Sequence, residues 1–186
     1  MITSAFRPQA GRFLISEPFM HDKNFQRTVV FLVEHSREGS LGFVLNRQLQ
    51  LGIEEVIEDM PAFSAPVFMG GPVEQGTLHY IHRIADLPNC QLIQEGVYWG
   101  GDFDALKTNI LSHRIQPSDI LFFIGYSGWG AGQLDGELSQ KAWIVAPEKP
   151  EVLFQESYHS LWQDLLRDMG DKYKVISNYP IDPRMN

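Results

Sequence analysis

The segment with the most chemistry-like spacing is "ILFFIGYSGWGAGQLDGEL", Ile120 to Leu138, where an apolar run meets Gly125, Gly128, Gly130 and Gly132. Gly125-Tyr126-Ser127-Gly128 begins like the G-x-S-x-G nucleophile elbow, which needs small residues on both sides so that serine can sit on a strained strand-to-helix turn. The second glycine position holds Trp129, and a triad would have to draw on Asp135 or Asp164 and on His159, the one histidine downstream. A serine-dependent hydrolase using Ser127 with His159 is therefore the alternative reading, not the leading one. A phosphate-binding P-loop has the right glycine spacing at Gly125 and Gly130. Ala131 and Gly132 then stand where lysine and a hydroxyl must follow. The dinucleotide fingerprint fails at Gln133, and Asp135 and Glu137 just beyond it oppose a pyrophosphate. What remains is architectural: glycines that permit positive φ or close backbone approach, with Trp129 anchoring a tight corner onto the core.

Other chemistry-bearing residues are dispersed. The six histidines are His21, His35, His79, His82, His113 and His159. None has H-x-x-x-H or H-E-x-x-H spacing, and His79 and His82, three apart on an expected strand, point to opposite faces. No metal and no cofactor is proposed by these spacings. Gly70-Gly71-Pro72 could shape a small anion nest, but Pro72 lacks an N–H and Glu74 adds negative charge, so a tight turn is expected. Asp22, Glu34, Asp102 and Asp104 are read as solvated carboxylates unless folding gathers them.

The chain that must position these groups has 186 residues, 44% of them hydrophobic, enough for one domain with a sizeable core. Fifteen Lys and Arg against 23 Asp and Glu give a net charge of -8, which repels a phosphate backbone and disfavours nucleic acid as a partner. Cys90 is the single cysteine, excluding an internal disulfide and a cysteine-rich zinc site. No signal-peptide pattern and no run approaching the ~20 apolar residues of a membrane span is seen, so a cytoplasmic location without membrane association is expected.

"GRFLIS", "RTVVFLVEHS" and "LGFVLN" read as strands, the last two as a hairpin over Arg27 to Asn46. Ile53, Val56, Ile57 and Met60 fall on one face of a short helix stopped by Pro61. "PVFMGG", "TLHYIHR", Ile120 to Tyr126 and "KAWIVA" are further strands. Asp102 is placed to cap a helix carrying Phe103, Leu106 and Ile110. That helix is not markedly basic, and no helix-turn-helix is evident. A last helix carries Tyr158, Leu161, Leu165 and Met169 and ends at Gly170, and the tail "SNYPIDPRMN" is expected to be irregular. Strands clustered early with helices interspersed predict an α+β fold: a single compact domain over residues 1–186, with a mixed or antiparallel sheet or barrel-like core and several short flanking helices.

Taken together, "GRFLISEPFMHDKNFQRTVVFLVEHSREGSLGFVLNR", "VFMGGPVEQGTLHYIH", "FFIGYSGWGAGQLDGEL" with "AWIVA", and "SNYPIDP" resemble the AlgH/YqgE family of bacterial proteins, uncharacterised protein family 0301, from about Gly11 to Pro183. The resemblance implies a compact α+β protein of the bacterial cytoplasm and defines no catalytic residues. The family name implies a transcriptional regulator of alginate synthesis, by name only. Members often carry alanine at the position of Ser127, which a catalytic hydroxyl would not allow. The leading reading is thus a non-enzymatic regulatory or interaction module with a protein or small-molecule partner. Its candidate surface comprises Asp22, His35, Asn46, His79, Tyr126, Trp129 and Gln133.

Overall fold

A computed structural model describes residues 6–180. The expected hairpin forms from β2 (Val29–Ser36) and β3 (Gly39–Val44), and β1 (Phe13–Ser16) pairs antiparallel with β2 on its other side. All four residues of β1 and the first five of β2 are buried, so these strands are covered on both faces and read as continuous apolar runs. Strand β4 (Val67–Met69) follows the short helix α1 (Ile53–Val56), then β5 (Val73–His82) and a hairpin of β6 (Gln91–Gln94) and β7 (Val97–Trp99). Helix α2 (Phe103–Leu111) precedes β8 (Ile120–Gly130), α3 (Gln133–Ser139) and β9 (Trp143–Ala146). Helices α4 (Pro150–Leu153), α5 (Leu161–Asp168) and α6 (Asp171–Ser177) complete the described chain.

The nine strands among the described residues form one sheet in the order β6-β7-β5-β8-β3-β2-β1-β9, with β4 also paired to β8. The β4–β8 pair is parallel and the other pairs antiparallel, so the sheet is mixed. Its end strands β6 and β9 do not pair with each other, and it remains an open sheet instead of closing into a barrel. Helices α4, α5 and α6 cover one face over Phe31, Phe43 and Phe123. The opposite face is covered in two places: by α1 and α2 over Tyr80 and Phe122, and by α3 over Val30, Leu32 and Trp129. The architecture is α+β.

Strand β8 organises the molecule. Its first half lies between β4 and β5, with Phe122 to Ile124 paired to both, while Ser127 to Gly130 pair with β3. The chain therefore has to pass from one edge of β8 to the other between Met69 and Val73. It does so across Gly125 and Tyr126. A Cβ on Gly70 would collide with the Gly125 carbonyl oxygen, and one on Gly71 with that of Tyr126. Gly125, at φ +66, opposes Gly71 and Val73 from the other side. "MGGPV" is thus a backbone crossing that only glycine can make. The tight turn expected there is this crossing.

The sequence reading differs from the structure in several elements. The glycine stretch is not a corner at Ser127 to Trp129: β8 continues to Gly130, and the chain turns afterwards, at Gly132 with φ +71. The stripe from Ile53 to Met60 forms only one helical turn, because Ile57 is extended and Asp59 has φ 58, although Ile53 and Met60 are buried as expected. Asp102 does cap α2, accepting the Ala105 N–H at 2.7 Å. Gly170 ends α5 at φ +104 and at once begins α6. Of the irregular tail, residues 181–186 lie outside the described residues.

Candidate functional site

Alternation along β8 decides which of its side chains can meet a ligand. Ser127 and Trp129 are buried, whereas Tyr126 is half-buried and Gly128 and Gly130 are exposed. Ser127 is fully buried, and its Oγ donates to the Gly70 carbonyl at 3.0 Å, fastening the crossing. His159 is exposed in the turn before α5. A nucleophile needs a base within hydrogen-bond reach and an open approach. Ser127 is instead committed to a backbone carbonyl.

Trp129 enters the core between Phe25 and Trp143, with ring centroids 6.2 and 5.8 Å away. Its indole N–H donates to Glu137 Oε2 at 2.9 Å, and the Trp143 indole donates to the same oxygen at 2.7 Å. Gln133 donates its amide to Glu137 Oε1 at 2.9 Å and accepts the Gly130 N–H at 3.0 Å. Gln133, Glu137 and the two indoles therefore clasp α3 onto β8 and β9. Glu137 is the residue that sequence reasoning missed. Its position four after Gln133 on one helix face was the available signal.

Tyr126 lies on the other face of β8. Its ring covers Gly128, where an added Cβ would come within 3.1 Å of Tyr126 Cε2. It meets His79 edge-on at 5.8 Å, and His79 also contacts Phe43 and Trp99. Thr77 Oγ1 donates to the Glu74 carbonyl at 2.8 Å, so its 3.1 Å contact with His79 Nε2 requires the imidazole N–H as donor. Burial holds the His79 pKa below the usual histidine value, partly opposed by Glu74. His79 and His82 do face opposite sides. His82 is fully buried, with Nε2 2.8 Å from the Gly100 carbonyl and Nδ1 accepting the Ile84 N–H at 3.1 Å.

An open cleft of about 830 Å³ lies over this part of the sheet, lined among others by Glu34, His35, Leu41, Tyr126, Gly128 and Gly130. Backbone of the strand edge forms part of it: Gly130 directs its N–H to Gln133, away from β3, and among the described residues no strand pairs with Gly128 to Gly130 on that edge. Of the seven candidate residues, the structure brings His35, Tyr126 and Trp129 to this cleft, with His79 against Tyr126. His35 contacts Ser40 Oγ through Nδ1 at 2.7 Å across the hairpin. Asp22 accepts the Asn24 N–H within its own loop, and Asn46 bridges the Arg27 carbonyl and the Val29 N–H. Asp22, Asn46 and Gln133 do not line the cleft. No group of three His, Cys, Asp or Glu that could hold a metal occurs among the described residues. No helix among them is long and apolar enough to cross a membrane.

An open mixed sheet with a glycine crossing, and a cleft without an assembled nucleophile or metal cluster, define an α+β protein whose accessible site offers strand edge and aromatic surface. The chain belongs to the AlgH-like family, whose model matches residues 13–174. A UPF0301 protein of Cytophaga hutchinsonii is 46% identical over 178 residues, covering 95% of this chain and 98% of that one. One of Bacteroides thetaiotaomicron is 38% identical, covering 96% and 92%. The solution structure of the AlgH protein from Pseudomonas aeruginosa superposes with a TM-score of 0.73 at 31% identity, over 97% of this chain and 98% of that chain. The crystal structure of protein DIP2367 from Corynebacterium diphtheriae, 24% identical, shares the fold with a TM-score of 0.79 over 96% and 95%.

Proposed function

We propose that the protein is a non-enzymatic interaction module acting as one domain, and that the cleft over Tyr126, Gly128 and Gly130 receives an extended segment of a partner protein. The observation that carries this reading is the edge of β8 at Gly128, which no strand among the described residues pairs with, next to a Gly130 N–H held by Gln133. The exposed residues of that edge are glycines, so a second backbone can approach closely, and unpaired strand edges recruit extended segments through main-chain hydrogen bonds. Tyr126 and Leu41 offer apolar surface beside that edge, and Glu34 and Glu38 favour a segment with basic residues. Regulation would then work through occupancy of the cleft. The net charge of -8 argues against nucleic acid as the partner, and the single cysteine accords with a cytoplasmic setting. The hydrolase reading has no observation in its favour, since the Ser127 hydroxyl is buried and engaged.

The test is selection of binding peptides from a displayed random library, followed by NMR titration of the isotope-labelled chain. Selected peptides should shift the Tyr126 to Gly130 amides, and Gly128→Pro, which removes an edge donor, should weaken them at least tenfold. Binding that leaves these amides unmoved, or turnover of a metabolite by the pure protein, would refute the reading.

A further inference from the structure

A second cleft, of about 620 Å³, lies at the other end of β8 and shares no lining residue with the first. Its floor is apolar: Leu51, Ala65, Pro66, Leu121, Phe154 and Tyr158. Tertiary contacts pin one residue of the floor. Tyr158 is buried, its hydroxyl donates to the Leu153 carbonyl, and its ring meets Phe68 edge-on at 4.9 Å. Pro66 in the floor and Pro117 beside it each have a ring-fixed φ. Above this floor, every charged residue lining the cleft is a carboxylate, namely Glu54, Glu55 and Glu156, and no lysine, arginine or histidine joins them among the described residues. The nearby Arg83 stacks on Phe154 at 4.4 Å but lines a neighbouring groove, not this one.

Glu55 spends one oxygen on the Gly52 N–H at 2.8 Å, capping α1, while Glu54 and Glu156 are exposed at the rim. Three negative groups around an apolar floor favour a ligand of matching layout. We infer that this cleft binds a small organic cation, with an apolar or aromatic body on Leu121, Phe154 and Tyr158 and its ammonium among Glu54, Glu55 and Glu156. The volume lies within the ~300–1,000 Å³ range of small-molecule sites. The site is independent of the proposed peptide cleft.

Three probes with the same ring system separate charge from apolar contact: 2-naphthylmethylammonium, 2-naphthylmethanol and 2-naphthylacetate. In NMR titrations of the full chain, the ammonium probe should shift the amides of Leu51, Gly52, Ala65 and Gln155. It should bind at least tenfold more tightly than the alcohol, with the carboxylate weaker still. Combined Glu54→Gln, Glu55→Gln and Glu156→Gln substitution should bring the ammonium probe to the level of the alcohol. The amide introduced by Glu55→Gln still presents an oxygen to the Gly52 N–H, and Glu156→Gln alone should narrow the gap if the triple variant folds poorly. Equal binding of ammonium and alcohol, shifts confined to the Tyr126 cleft, or a preference surviving the substitutions would overturn the assignment.

Discussion

Ser127 shows how one residue's place in a strand outweighs the motif around it. "GYSGWG" spells an approximate nucleophile elbow, yet alternation turns residues 127 and 129 inward and presents 126, 128 and 130. Serine here bonds the Gly70 carbonyl, which also accepts the Val44 N–H at 2.9 Å, so Ser127→Ala leaves no acceptor stranded and should cost about 1 kcal/mol in urea unfolding, the net worth of one hydrogen bond. It should leave partner binding intact, and fluorophosphonate probes should not label the wild-type chain. His82 supplies a pH prediction. Burial lowers its folded pKa, against a favourable but smaller bond to Gly100, so the unfolded chain takes up the proton first on acidification. The stability due to neutral His82 is complete above pH ~6.5, the ordinary histidine value, and is lost as pH falls from there toward the lower folded pKa. Protonating Nδ1 would also break its bond from the Ile84 N–H. Unfolding free energies at pH 7.5, 6.5 and 5.5 should decline in that order, and His82→Gln should flatten the decline. His79, lowered in the same direction, retains part of it.

At the scale of elements, legibility followed the strength of periodicity. Strands β1, β2, β3, β4 and β9 are dense in β-branched and aromatic residues and were legible in the sequence. So were the Asp102 cap and part of the last helix: Leu161 and Leu165 are buried in α5 as expected, but Tyr158 lies before it and Met169 caps its end, while Trp162 and Leu166 complete the buried stripe. The β6–β7 hairpin was missed because Gln91, Leu92 and Gln94 give little alternation, although Glu95-Gly96 between the strands is a turn signal. Helix α3 was missed because Gly132 begins it and Gly136 lies inside it. Its stability comes from the clasp of Glu137 on two indoles, which no local pattern announces. The candidate list suffered likewise: Tyr126 and His35 reach the cleft, but Asn46 and Gln133 serve backbone and helix contacts that depend on tertiary pairing. Two alanine substitutions separate crossing glycines from permissive ones. Gly71→Ala should destabilise by about 3 kcal/mol or more, because its Cβ would collide with the Tyr126 carbonyl. Gly136→Ala, with nothing within 4 Å and a helical setting, should stabilise by roughly 0.5–1 kcal/mol. Denaturant midpoints of the two variants measure both.

Across the whole molecule, an open sheet covered by helices at several places leaves two concavities at opposite ends of one strand, one rich in backbone edge and one in carboxylates. That overall arrangement was not readable from sequence, since the pairing of β3, β4 and β5 with β8 joins segments far apart in the chain, as in Gly39 with Gly130 or Ser40 with Trp129. The central position of β8 also governs how the chain comes to fold during synthesis. Residues 13–82 supply its three neighbours, but the strand that unites them begins at Ile120, so a nascent chain carries waiting, sticky edges until it emerges. A fragment ending at residue 119 should therefore lack cooperative unfolding by circular dichroism. The full chain should refold on the milliseconds-to-seconds scale of topologies dominated by distant contacts, and an early stop codon or a ribosomal pause before Ile120 would expose the cell to an aggregation-prone intermediate.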